Sequence, residues 1–174
     1  MAKVVELRRH HDAEADFLTE KGVGTALELG AGLSGDYDVF ISSGAQRSTQ
    51  TLACYLAASA LRVAGGVVVD ARFRSALEDR WKAAYEKAGA GDIESFQKAD
   101  PQLVEKETAL LAAALRELFE SLPDGGRALV VGHSPMQEAA VYGLTGRAVG
   151  PLSKGAGVAV VLDDDGGYGV EQLD

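Results

Sequence analysis

The chain has 174 residues, 47% of them hydrophobic, which suits one domain that buries about two-thirds of its unfolded surface, and leaves no room for a second. A formal net charge of −9 excludes a general nucleic-acid or anionic-membrane surface, since both partners require a basic face, so an anionic ligand would need a locally cationic pocket. One cysteine, Cys54, excludes an intramolecular disulfide framework and a cysteine-rich zinc site; with no apolar signal-peptide core after Lys3 and no segment long enough to span a bilayer, the expectation is a soluble cytoplasmic protein.

Val4, Val5 and Leu7 have the β-branched, apolar character of a buried strand, which changes abruptly to Arg8-Arg9-His10-His11. In open α/β sheets ligands bind beyond the carboxyl ends of the strands. Arg9 offers a guanidinium fork for phosphate or carboxylate, and His10 an imidazole that is neutral and nucleophilic near pH 7. Residues 12–17 read as a polar loop, and Thr19 caps a helix with Glu20 in its first turn. Val23, Ala26, Leu27, Gly30 and Ala31 fall at helical spacing and predict its buried face, while Gly32 and Gly35 end it.

Val39-Phe40-Ile41 is a second strand that stops at Ser42-Ser43, and Ser43-Gly44-Ala45-Gln46 reads as a capping box. The helix it opens runs through Leu52, Tyr55 and Leu56 to about Ala60. Arg47 lies in its first turn, where a cation is disfavoured by the helix dipole; an anion held by both the free amides and Arg47 would justify it there. Val67-Val68-Val69 is a third strand. Residues 70–101 have a weaker pattern, with one helix suggested by Ala76, Leu77, Trp81 and Tyr85 and broken at Gly89 and Gly91, and read as an excursion over the sheet, near the site rather than in the core.

Residues 103–122 form a long amphipathic helix with Leu111, Leu115, Leu118 and Leu122 on one face. Ala128-Leu129-Val130-Val131 is a fourth strand, after which Ser134 reads as a cap, Pro135 as the first helical residue and Gln137 as the capping-box partner, with His133 just before them. Residues 158–162 and 168–170 close the chain as two strands joined by Asp163-Asp164-Asp165-Gly166-Gly167. The alternation of helix and strand predicts an α/β three-layer sandwich, a mainly parallel central sheet with helices on both faces.

Parallel strands bring their C-terminal ends to one edge, so Arg9, His10, Arg47 and His133 can converge into a pocket for a dianion, phosphate above all. Two rival chemistries fit less well. Gly132-His133-Ser134-Pro135-Met136 imitates a nucleophile elbow, but Met136 replaces its last glycine and no histidine follows Ser134. A zinc site from His10, His11, Asp12 and His133 would require adjacent side chains of an extended segment to share one ion. A nucleotide P-loop is absent.

Leu7-Arg8-Arg9-His10-His11-Asp12-Ala13 resembles the Arg-His-Gly signature of the histidine phosphatase superfamily, also called phosphoglycerate mutase-like. The stretch Ser42-Ser43-Gly44-Ala45-Gln46-Arg47-Ser48-Thr49-Gln50-Thr51 is similar to its second motif and Val131-Gly132-His133-Ser134-Pro135 to its third. Leu18-Thr19-Glu20-Lys21-Gly22 matches a helix start common in the short phosphohistidine phosphatase branch. The resemblance implies that His10 attacks phosphorus and is phosphorylated, that Arg9, Arg47 and His133 hold the phosphoryl oxygens with Ser134 beside them, and that neither metal nor cofactor is needed. It implies a phosphatase acting on a phosphorylated small molecule or a phosphohistidine protein, with a mutase or a non-catalytic phosphate-binding protein as alternatives.

Two positions depart from the pattern. His11 stands where the family has glycine, so either the backbone tolerates a side chain there or His11 joins the substrate pocket. Ser75 stands where many relatives have a proton-donating glutamate; Glu78, one turn on, is the best substitute and Asp79 the next.

Overall fold

A computed structural model describes residues 1–174. Its sheet strands are β1 (Lys3–Arg9), β4 (Val39–Ser42), β5 (Val67–Val69), β6 (Arg127–Gly132), β7 (Gly157–Leu162) and β8 (Tyr168–Leu173). They form one sheet in the order β5-β4-β6-β1-β7-β8. The first four in that order are parallel; β7 runs antiparallel to β1 and β8 antiparallel to β7. Residues 12–17 are more than a loop: β2 (Ala13–Glu14) and β3 (Phe17–Leu18) pair as a small hairpin, whose turn carries Ala15 at φ 52°.

The helices are α1 (Glu20–Gly32), α2 (Gln46–Ala58), α3 (Glu78–Ala88), α4 (Ile93–Ala99), α5 (Pro101–Ser121) and α6 (Met136–Thr145). Strand side chains alternate between faces, and the central strand β6 shows what each face meets. Ala128 and Val130 pack in a cluster with Leu111 and Leu115 of α5 and Ala139 and Ala140 of α6. Leu129 and Val131 pack in a second cluster with Ala26 of α1 and Leu52 and Tyr55 of α2. All four strand residues are fully buried, as a parallel strand covered on both sides requires. The α/β three-layer architecture is therefore the one the alternation predicts.

Helix α1 buries only part of the expected face, Ala26 and Gly30 with Gly22 beside them, and leaves its large apolar residues out. Gly22, Ala26 and Gly30 are buried, whereas Val23 and Leu27 are each 38% exposed. The cause is close approach: a Cβ on Gly30 would lie 2.7 Å from the Tyr55 Cα, and one on Gly22 would lie 2.0 Å from the Asp12 carbonyl oxygen. Small residues make these contacts, so hydrophobicity misplaces the centre of the buried face. Gly22→Ala is expected to destabilise the fold by about 1–3 kcal/mol through overpacking; an unchanged urea midpoint would contradict that.

The excursion over residues 70–101 is built from a one-turn 3₁₀ segment (Ala71–Phe73), α3 and α4, and it reaches the core, contrary to expectation. Trp81 and Ala84 of α3 and Ile93 and Phe96 of α4 all belong to the larger cluster. Their i, i+3 spacing gives each short helix one apolar face, and these faces dock together and onto α5. α5 begins two residues earlier than its leucine pattern suggests, with Pro101 in its first turn and the Asp100 carboxylate accepting from the Leu103 amide at 3.1 Å.

Candidate active site

The parallel register delivers three strand ends together. Arg9 lies opposite Gly132 and Ser42 opposite Val131, so the chain leaves β1, β4 and β6 at one edge. Because β7 is antiparallel, it starts at that edge, with Gly157 opposite Arg8, and the loop before it arrives there too. Between these ends lies a cavity of about 670 Å³ whose walls include Arg9, His10, Arg47, Glu78, His133, Ser134 and Lys154. Lys154 is exposed and went unnoticed in the sequence, which gives no local sign that the closing strands run antiparallel to β1.

Hydrogen bonding sets the tautomers of both imidazoles. His10 Nδ1 lies 2.7 Å from the His11 carbonyl oxygen; a carbonyl only accepts, so Nδ1 carries the proton. Nε2 keeps its lone pair, into which the Arg47 Nε–H donates at 3.2 Å. His133 Nδ1 accepts from an Arg47 Nη2–H at 3.1 Å. Its Nε2–H donates to Ser43 Oγ at 2.8 Å, and Ser43 in turn donates to Ser48 Oγ at 3.1 Å. The two rings meet edge to face with centroids 5.3 Å apart. Burial, opposed by the backbone bond to His11 and reinforced by Lys154, Arg47 and Arg9, pushes His10 down to about 4. Burial, then Arg47 and His10, push His133 down to about 3. Near neutrality both rings are uncharged, and the cavity end is strongly cationic.

The helix N-termini differ from the capping-box reading. The cap of α2 is Ala45, which has no side-chain bond, and Ser43 is used by His133 instead. The free amides are met from the hairpin: Asp16 accepts from the Gln46 amide at 3.2 Å and from Arg47 Nη1 at 2.9 Å. Although desolvation opposes it, bonding to the Gln46 and Arg47 amides and the charge of Arg47 hold the Asp16 carboxyl below its ordinary range. At α6 the cap is Pro135, again without a side-chain bond. Ser134 donates to Glu138, and Gln137 donates to the Arg8 carbonyl at 3.0 Å. Glu138 is 1% exposed, and burial raises its carboxyl above the ordinary range. It accepts from the Leu152 amide at 2.8 Å while Arg9 Nη1 donates to the Leu152 carbonyl at 2.8 Å. Glu138 and Arg9 thus fasten the loop that carries Lys154.

Of the remaining sequence-predicted residues, Ser134 and Glu78 line the cavity, with Glu78 paired to Arg74 at 2.6 Å. Ser75 is buried and its Oγ accepts from the Leu77 amide at 2.9 Å. His11 does not line the cavity. Its ring turns away between α1 and α2, with Nδ1 2.9 Å from Thr25 Oγ1 and Nε2 2.8 Å from Tyr55 Oη. A Cβ on Gly155 would lie 2.5 Å from its Cε1. His11 is therefore corrected from a candidate pocket residue to a buried support whose backbone carbonyl orients His10. No three His, Cys, Asp or Glu side chains cluster as metal ligands, and no helix is long and apolar enough to cross a membrane.

Burial also pushes His11 down, to about 4, so all three histidines of the chain are held neutral when folded. Between about pH 6.5 and pH 4 the unfolded chain binds protons that the folded one does not. Stability is then full above pH 6.5 and falls on acidification, by roughly 1.4 kcal/mol per pH unit for each protonated unfolded-state histidine. Urea midpoints at pH 7.5, 6 and 5 should fall steadily; a flat series would show that the rings are not buried neutral.

The fold and its cavity define a class. The chain has the phosphoglycerate mutase-like fold. It is similar to a phosphoglycerate mutase from Bacillus anthracis at TM-score 0.71 and 23% identity, covering 99% of this chain and 92% of that one. It is similar to a phosphoserine phosphatase from Entamoeba histolytica, in complex with 3-phosphoglyceric acid, at TM-score 0.75 and 15% identity, covering 99% and 97%. The protein histidine phosphatase SixA, complexed with tungstate, aligns at TM-score 0.63 and 21% identity over 98% and 96%. No family model matches the sequence, and no curated protein matches it.

Proposed function

We propose that the protein is a metal-independent phosphatase that hydrolyses a phosphomonoester or an N-linked phosphoryl group through a phosphohistidine on His10. The observation that carries this reading is the His10 Nε2 lone pair, fixed by the Nδ1 bond to a carbonyl and faced by the cation of Arg47. A dianion entering this end draws the Arg47 N–H groups from ring nitrogens to its own oxygens, where the bonds are charge-assisted and stronger. His10 Nε2 attacks phosphorus, the bond to the leaving group breaks, and the departing atom takes the electron pair and a proton from Glu78. Water then gives a proton back to Glu78 as it attacks phosphorus, the P–N bond breaks with its electron pair returning to Nε2, and inorganic phosphate leaves His10 neutral again. Arg9, Arg47 and His133 hold the oxygens; the dianion raises the proton affinity of His133, which then donates from Nδ1. Positioning and charge stabilisation supply most of such a reaction's rate.

Hydrolysis is favoured over a mutase because Lys82, Tyr85, Pro151 and Lys154 line the cavity and are solvent-exposed, leaving water a route to the phosphoenzyme. Glu78 is the proton donor of this reading. Glu78→Gln is expected to lower turnover of alkyl phosphates by about 10²-fold or more, and that of p-nitrophenyl phosphate, whose leaving group needs no proton, by far less. Equal losses for both esters would take the donor role from Glu78. The reading itself is tested by quenching the enzyme in base during turnover of a ³²P-labelled ester: label on His10 is expected, and label on no residue while ester is consumed would overturn it.

A further inference from the structure

We infer that the end of the cavity away from His10 is a subsite for a flat apolar group, so that the substrate is a small-molecule phosphomonoester bearing an aromatic ring rather than a phosphorylated protein. This rests on the hydrolytic reading of His10 and names the substrate class of the same site. A phosphoryl group occupies only the cationic end of a cavity of about 670 Å³, and pockets of roughly 300–1,000 Å³ are those that enclose whole small organic molecules. The lining also includes Trp81, Lys82 and Tyr85 of α3, Phe96 of α4, and Pro151.

That wall is rigid and aromatic. The Trp81 and Phe96 rings meet edge to face at 5.0 Å and 85°, and both are almost wholly buried in the main core. Tyr85, one turn beyond Trp81 on α3, packs tilted against Phe96 at 6.4 Å yet is 53% exposed. An aromatic side chain fixed on one side and open on the other, inside a concave site, is a stacking surface that loses little entropy when covered. Gly91 keeps the space beside it open: a Cβ there would lie 3.5 Å from Tyr85 Cε2 and 3.8 Å from Pro151 Cγ, and a longer side chain would fill the slot between them.

The test compares 2-naphthyl with phenyl phosphate, esters of similar leaving-group acidity that differ in ring area, for the wild type, Tyr85→Ala and Tyr85→Phe. The wild type is expected to favour the naphthyl ester by roughly 3–10-fold in kcat/KM, expressed in KM, with the preference kept by Tyr85→Phe and lost in Tyr85→Ala. Calorimetric binding of phenylphosphonate against methylphosphonate reads the subsite without any turnover and should show the same Tyr85 dependence. Equal binding of the two phosphonates overturns the ring subsite. Phosphoramidate separates the two levels of the argument: its hydrolysis through His10 without any ring preference removes the subsite and leaves the phosphatase reading standing. A Tyr85-dependent phosphonate preference without hydrolysis of any substrate upholds the subsite and removes the hydrolytic reading.

Discussion

His10→Ala is expected to lower kcat/KM for p-nitrophenyl phosphate by at least ~10⁴-fold, the scale of loss seen when a covalent nucleophile is removed. The expectation follows from geometry rather than from charge. His10 is uncharged, so its removal leaves the cationic end of the cavity intact, and inorganic phosphate should still bind the variant. Its ring is held by one bond at each nitrogen, to the His11 carbonyl and to Arg47, so no large structural loss accompanies the change. Activity within about tenfold of wild type would mean that water, and not His10, attacks phosphorus directly.

Arg47→Lys should cost about 10²–10³-fold in kcat/KM, with inhibition by phosphate weakened alongside. Lysine preserves the charge, so the loss isolates the fork. Arg47 reaches His10 through Nε, His133 through Nη2 and Asp16 through Nη1, and an ammonium, whose three N–H bonds all leave one nitrogen, cannot span partners that the guanidinium meets from three separate nitrogens. Asp16 matters here because it holds the guanidinium from the side opposite the imidazoles. A lysine variant with wild-type kinetics would show that only charge at this position counts.

The parts of the site that were legible in the sequence are those written locally at strand ends. An apolar run followed at once by Arg9-His10, by the turn leading to Arg47, or by His133 places polar groups at one edge once the strands are parallel. The parts that were hidden depend on partners far away in sequence. Asp16 supplies the α2 amides across 30 positions, so the nearby Ser43, which looked like the cap, was free to bond His133. Lys154 reaches the site only because β7 runs antiparallel to β1. His11 was ambiguous because its destination is set by Thr25 and Tyr55, residues of two helices that approach at Gly30 rather than through a hydrophobic stripe. The same limit applied to the excursion, where Trp81 and Phe96 find the core through each other.

A crystal structure of the protein with vanadate tests most directly whether a phosphoryl group is transferred to one nitrogen of one ring. Vanadium bonded to His10 Nε2, with its oxygens held by Arg9, Arg47 and His133, is the predicted result. Vanadate bound away from His10, or bonded to Nδ1 with the carbonyl of His11 displaced, would contradict it.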